Sequence, residues 1–273
     1  MTMQPDRERQ SKPYALVTGA SSGLGESFAH DLARRGHDLV LVSENLKELE
    51  RVKADIESQH DSSVFILEAD LFHPAAAERV FDFCLRKRIS IDILINNAGI
   101  YLNIERELND IKSVENVINL HVMSLAKLCF LFCKEMMERK LGYILNVSSI
   151  NSEFPDPASL TYGPTKRFIL AFTESLHCEM REHNVHVTCL TPGGIKTNFF
   201  TANDVFIPPV IRRTLLSSDE CARKSLDALF RGRARITPGL SGKIQSFFLR
   251  LMTRPSTYHL IKKSYFSMKK KST

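Results

Sequence analysis

From residue 14 to residue 190 the chain repeats one pattern: a short apolar run, a turn, then a longer amphipathic stretch. The apolar runs fall at 14–18, 38–42, 63–67, 91–95, 142–147 and 185–190, with a shorter one at 235–237. Helical periodicity fills the gaps at 27–35, 46–58, 75–88, 114–140 and 162–183, and returns at 219–230. Gly36 follows the first helical stretch, where a helix commonly stops. The runs are apolar throughout, which marks strands covered on both faces, and regular β-α alternation favours a parallel sheet. The pattern predicts one α/β domain, doubly wound, with helices on both sides of its sheet. No repeat or low-complexity linker interrupts it before Gly239.

Composition adds limits. With 43% hydrophobic and 25% charged residues in 273, the chain reads as an ordinary soluble globular protein. The polar arm 1–11 has no apolar core of a secretory signal. The longest uninterrupted apolar run, 128–133, is far short of the ~20 residues a membrane span needs. The expected location is therefore cytoplasmic. Six cysteines lie in apolar, periodic stretches with no CxxC pair, so they read as reduced core thiols. Cys129 and Cys133 are four apart, but no histidine or acid completes a metal set, and no metal site is expected.

The first apolar run ends in Thr18-Gly-Ala-Ser-Ser-Gly23-Leu-Gly25, directly before a helix. Glycines there allow a tight turn and close approach of a ligand to the backbone. The helix start adds free N–H groups and a positive dipole end suited to a pyrophosphate. A glycine cluster alone could be only a turn; its strand-turn-helix setting points to dinucleotide binding. The spacing is GxxxGxG instead of GxGxxG.

Asn96-Asn-Ala-Gly99, Ser149, Tyr162-Gly-Pro-Thr-Lys166 and Pro192-Gly193 follow that turn in order. Together these motifs resemble the short-chain dehydrogenase/reductase family over residues 12–239. The resemblance implies a Rossmann-type domain with a mainly parallel seven-stranded sheet, bound NAD or NADP, and a homodimer or homotetramer. It implies cofactor contacts from Gly19, Ser21, Ser22, Gly23, Leu24 and Gly25 in the turn, and from Ser43 and Glu44 after the second strand. It also places Asn97 and Gly99 near the adenosine ribose, with the small Ala98 letting the backbone approach the cofactor, and Ile195 and Thr197 against the nicotinamide carboxamide, with Pro192 and Gly193 just before them on the cofactor side. Asp70 matches an adenine contact; a carboxylate near a helix start is the alternative.

Tyr162 and Lys166 are four apart and share a helix face. A phenol titrates near ~10, and a neighbouring ammonium favours the phenolate and brings it closer to working pH. Tyr162 can then donate a proton to a carbonyl oxygen, or remove one from an alcohol. The pair alone is common by chance; Ser149, thirteen residues earlier and just after a strand, gives it context. The resemblance makes Ser149 the donor to the substrate oxygen, with Ser148 the adjacent alternative, and gives Lys166 a second contact to the nicotinamide ribose. It makes Asn119 part of a water-mediated proton path behind the lysine; a purely structural asparagine remains open. His121 has no role in that pattern and is read as structural.

An acid at the end of the second strand repels a 2′-phosphate. Glu44 supplies one, and neither Ser22 nor Glu44 is basic, which favours NAD over NADP. The stretch 195–218 is the expected substrate lid. Phe199, Phe200, Phe206 and Ile207 make it apolar. It fits a steroid, an acyl chain or another apolar carbonyl compound; packing on the body or on a second subunit is the alternative.

Residues 240–273 form a separate extension. Ile244, Phe247, Phe248, Leu251 and Met252 fall on one helical face. From residue 228 on there are eleven basic residues and no acid, so the net charge of +6 leaves −5 for the rest. This helical tail could pack on the pocket or a subunit, or make peripheral contact with an anionic membrane. No nucleic-acid motif accompanies the charge. The expected activity is hydride transfer between a nicotinamide and a carbonyl or alcohol. A cofactor-binding regulatory or scaffold protein on the same fold is the alternative, and an isomerase or epimerase sharing the YxxxK pair is a weaker one.

Overall fold

The computed structural model of the chain describes residues 12–155, 158–197, 199, 215–239 and 242–243. The arm 1–11, most of the lid and the amphipathic stretch beyond Lys243 lie outside the described residues. The strands are β1 (Tyr14–Thr18), β2 (Asp38–Ser43), β3 (Val64–Glu68), β4 (Ile91–Asn96), β5 (Gly142–Val147) and β6 (Val185–Leu190). Two-residue strands follow: β7 (Ile195–Lys196), β8 (Leu216–Ser217) and β9 (Arg235–Ile236). Seven of them form one all-parallel sheet in the order β3-β2-β1-β4-β5-β6-β9. The order reverses between β1 and β4. At that crossover an open α/β sheet offers a crevice beyond its strand ends.

Alternate residues of each strand explain why the runs are apolar throughout. Leu16, Val40, Val42, Leu94 and Ile144 pack on one side with α3 (Ala76–Lys87), α6 (Leu125–Arg139) and α7 (Tyr162–Met180). Ala15, Val17, Leu39, Leu41, Ile93 and Ile95 pack on the other with α1 (Gly23–Arg34), α2 (Leu46–Gln59) and α8 (Ser218–Phe230). Each face thus buries its own core, and a one-residue slip would cost both.

The helix expected at 114–140 is built in pieces. A short α4 (Ile104–Asn109) comes first, then α5 (Ile111–Ile118), a π turn at Asn119–Ser124, and α6. Asn103 caps α4 by accepting from the Arg106 N–H, and Asp110 caps α5 by accepting from the Ser113 N–H. By length and composition the stretch Ile111–Arg139 could cross a membrane, but half of its most apolar part is buried in this core. Counting uninterrupted runs missed it, because Ser124 and Lys127 break the run. Of the six cysteines, Cys178 is exposed and the other five are buried.

Candidate active site

The glycine turn is a close-packed junction. Gly19 and Gly23 adopt left-handed backbone angles, φ +63° and +59°. A Cβ on Gly25 would sit 2.0 Å from the Gly19 carbonyl oxygen, so only glycine fits there. Asn97 holds the turn: its Nδ2 donates to the Thr18 and Gly19 carbonyls at 3.0 and 3.2 Å. The Asn97 and Ala98 N–H groups both donate to Thr18 Oγ1. Ser21 Oγ lies 2.8 Å from Ser43 Oγ, fixing the turn to the end of β2. No side chain caps α1 at Ser22, whereas Asn45 and Ser217 cap α2 and α8. The first N–H groups of α1 are therefore not taken up by a side-chain cap at Ser22. Thr197 packs its methyl against Gly23 at the edge of the same turn, and Ile195 is buried beside it.

Other expected cofactor residues lie around this edge. Glu44 is exposed just after β2, and Asp70 is exposed after β3, where its carboxylate accepts from the Phe72 N–H. Asp70 thus stabilises the turn before α3 and is not that helix's cap, which falls at Ala75. The Pro192 carbonyl accepts from the Ile150 N–H, joining the end of β6 to the Ser149 loop. Gly193 is nearest to Gly242, and Leu24 packs partly into the core. Gly99 follows β4. A Cβ there would meet His121 Nε2 at 3.1 Å and Lys166 Nζ at 3.3 Å, so it opens on the helix that carries Lys166.

That helix, α7, begins at Tyr162. Its start is fixed by Glu107 of α4, which is 7% exposed. The Glu107 carboxylate accepts from Ser159 Oγ at 2.8 Å, from the Leu160 and Thr161 N–H groups at 2.5 and 2.9 Å, and from the Thr161 hydroxyl. Ser159 Oγ accepts in turn from the Tyr162 N–H. Nothing in the sequence marks Glu107; it is one of two acids, with Glu105, in a six-residue helix.

Lys166 is 3% exposed, and among the described residues no carboxylate pairs with it. Its Nζ donates to the Val147 carbonyl at 3.0 Å and stands 5.6 Å from the Tyr162 ring centre. Burial pulls its pKa down to about 8. Ser148 Oγ donates to the Lys166 carbonyl, so Ser148 joins β5 to α7 and leaves Ser149 as the open hydroxyl. Ser149 Oγ accepts from the Asn151 N–H at 3.1 Å, and its own proton can be given to a substrate. Beyond that loop, Glu153 pairs with Arg235 of β9, tying the loop to the sheet edge. Around Tyr162, the Tyr101 and Phe199 rings lie 5.0 and 6.2 Å away.

Asn119 opens the π turn, half-buried, and no hydrogen bond links it to Lys166. His121, two residues on, is 1% exposed, its ring 5.9 Å from that of Tyr162. Burial and the Lys166 charge hold its pKa well below the ordinary histidine value.

Rossmann-type proteins bind dinucleotides at this edge of the sheet, and the described fold and turn put the chain in that class. A model of the short chain dehydrogenase family matches residues 13–205. The chain belongs to the short-chain dehydrogenase/reductase family. It is 32% identical over 191 residues to human 17-beta-hydroxysteroid dehydrogenase type 3, covering 69% of this chain and 61% of that one. It is 30% identical to the very-long-chain 3-oxoacyl-CoA reductase of Anas platyrhynchos, covering 67% and 60%. The chain thus spans about three fifths of the length of those two relatives. A Drosophila melanogaster dehydrogenase/reductase SDR family protein 7-like is 30% identical, covering 94% and 82%. Among solved structures, a short-chain dehydrogenase from Sphingobium yanoikuyae in complex with NADPH superposes with TM-score 0.77 at 28% identity, covering 86% and 92%. A 7beta-hydroxysteroid dehydrogenase shares the fold, with TM-score 0.83 at 22% identity and coverage of 92% and 96%.

Proposed function

We propose that the chain is a nicotinamide-dependent oxidoreductase that interconverts an apolar ketone and its secondary alcohol. The observation that carries this is Lys166: a lysine buried without a carboxylate partner, beside a phenol, at the carboxyl edge of the sheet. Burying such a charge opposes folding, so its retention points to chemistry.

The residues fit a dinucleotide. The uncapped start of α1, the Gly19–Gly25 junction and the polar Ser21–Ser43 contact would hold its phosphates and ribose, with Ser22, Leu24, Asn97 and Ala98 shaping the turn. Ile195, Thr197, Pro192 and Gly193 would flank the nicotinamide. Bound there, a reduced nicotinamide supplies the hydride. Tyr162 gives its phenolic proton to the carbonyl oxygen, Ser149 donates a hydrogen bond to that oxygen, and Lys166 stabilises the phenolate left behind. In the alcohol-oxidising direction each proton moves the other way.

Tyr101 and Phe199 beside Tyr162 favour an apolar substrate, as do the steroid and 3-oxoacyl names of the relatives. The exposed acid Glu44 favours NAD, while the Sphingobium relative holds NADPH. Domain limits of 12–239 and a lid within 195–218 accompany this reading. The exposed side chains Phe130 and Phe168, with Phe172 between them, make the α6–α7 face the candidate homodimer surface. The reading keeps the protein cytoplasmic, with the basic tail able to touch a membrane surface.

The test is a titration of the full chain with NAD(H) and NADP(H), followed by steroid ketones and 3-oxoacyl thioesters monitored by nicotinamide absorbance. Turnover of an apolar ketone supports the proposal, with Glu44→Arg shifting preference toward NADP. Tight dinucleotide binding with no turnover of any ketone or alcohol would instead favour a regulatory or scaffold protein.

A further inference from the structure

His121 joins three parts of the site. It lies in the π turn, a form of helix often found at functional sites. Its Nε2 accepts from the Ile100 N–H at 3.2 Å, next to Gly99 in the loop after β4. Its Nδ1 lies 3.0 Å from Thr165 Oγ1, on the catalytic helix between Tyr162 and Lys166. Thr165 Oγ1 directs its own proton to the Thr161 and Tyr162 carbonyls, at 2.8 and 3.0 Å.

These bonds select one tautomer. The Ile100 N–H can only donate, so Nε2 must carry a lone pair. The Thr165 hydroxyl proton is engaged by backbone carbonyls, so its oxygen accepts, and Nδ1 must carry the hydrogen. Two independent contacts therefore demand the same neutral form. A second proton on Nε2 would break the Ile100 bond and set a cation facing Lys166 across the Gly99 position. The ionisable neighbours on α7, Lys166 and Tyr162, leave no negative charge to offset it.

We infer that His121 is a positioning residue of the catalytic pair, locked as the neutral Nδ1–H imidazole, which fixes Thr165 and hence Tyr162 and Lys166 against the loop that bears Gly99. This rests on the proposed oxidoreductase reading for its consequence, but its geometry can be tested apart from turnover. Long-range proton–nitrogen NMR of the 15N-labelled full chain reads the tautomer of each histidine, and signals lost in His121→Phe identify this one. The expected result is a neutral ring protonated on Nδ1 at pH 7. An Nε2–H ring or an imidazolium there would overturn the inference, whatever the enzyme assay gives.

The kinetic arm compares His121→Phe with His121→Gln. Phenylalanine keeps a ring but neither hydrogen bond; glutamine can supply one acceptor and one donor. With Phe, kcat should fall at least about tenfold while KM and dinucleotide Kd stay within about twofold. With Gln, much of kcat should return. Equal activity in the Phe variant and the wild type, or a Phe variant more active than Gln, would show that the ring merely fills space. Absence of turnover in the wild type together with the expected tautomer would count against the oxidoreductase reading and leave the neutral lock standing.

Discussion

The glycine turn and the start of α7 face the same crevice but are built from opposite materials. The turn is neutral and close-packed: Gly19, Gly23 and Gly25, with Thr18 and Asn97 bonding backbone groups. The start of α7 is surrounded by buried ionisable groups: Lys166 and His121, with Glu107 under its first turn and Glu153 paired to Arg235 nearby. Close packing suits the proposed phosphate-binding surface, where a side chain would only obstruct. Buried charge suits the proposed proton transfer, because proton affinity there is set by what the fold leaves unsolvated. The difference teaches that the two halves fail differently, the first by steric exclusion and the second by altered titration.

The sharpest break of the first half is Gly25→Ala. Its Cβ would lie 2.0 Å from the Gly19 oxygen and 2.6 Å from Asn97 Nδ2, closer than real contacts allow. Dinucleotide affinity should fall more than about a hundredfold, with several kcal/mol lost from stability, as read by fluorescence titration and denaturant unfolding. Gly36→Ala is the control: it has φ +87° but nothing within 4 Å, so only backbone strain of about 1–3 kcal/mol is expected. Equal effects at the two positions would refute the steric account.

The second half should show itself in pH dependence. Burial lowers the Lys166 pKa from 10.5 to about 8. Between those values the unfolded chain binds the proton that the folded one has released, so stability rises with pH through that window. Below about pH 8 the cost of burying the ammonium is present in full. The cofactor-free wild type should therefore gain about 3 kcal/mol relative to Lys166→Met from pH 8 to 10.5. Comparing the two proteins matters, because burial also raises Cys84, Cys133, Cys189 and Cys221 to about 12, which opposes stability at high pH in both. A constant difference across the window would mean that Lys166 is solvated.

Most of the neutral half was legible in the sequence, because its signals are local. A strand apolar throughout, a turn that needs glycine and a helix that follows can each be read within a few residues. The approach of Lys166 to Tyr162 was legible through their four-residue spacing. The charged half was less so. His121 was read as structural, because the π turn that brings it beside Tyr162 and toward Lys166 leaves no mark in helical periodicity. Glu107 acts on residues 159–161, more than fifty positions away, and only the folded chain brings its carboxylate to them. The β7–β8 ribbon, two residues per strand, carries no periodicity at all.

The central claim is best tested by Tyr162→Phe, assayed for hydride transfer in the full chain alongside dinucleotide binding. Removal of one phenolic oxygen should lower turnover by at least about a thousandfold while leaving dinucleotide Kd within about twofold. A phenylalanine variant that turns over within about tenfold of the wild type would contradict the account, because the proton would then come from another group.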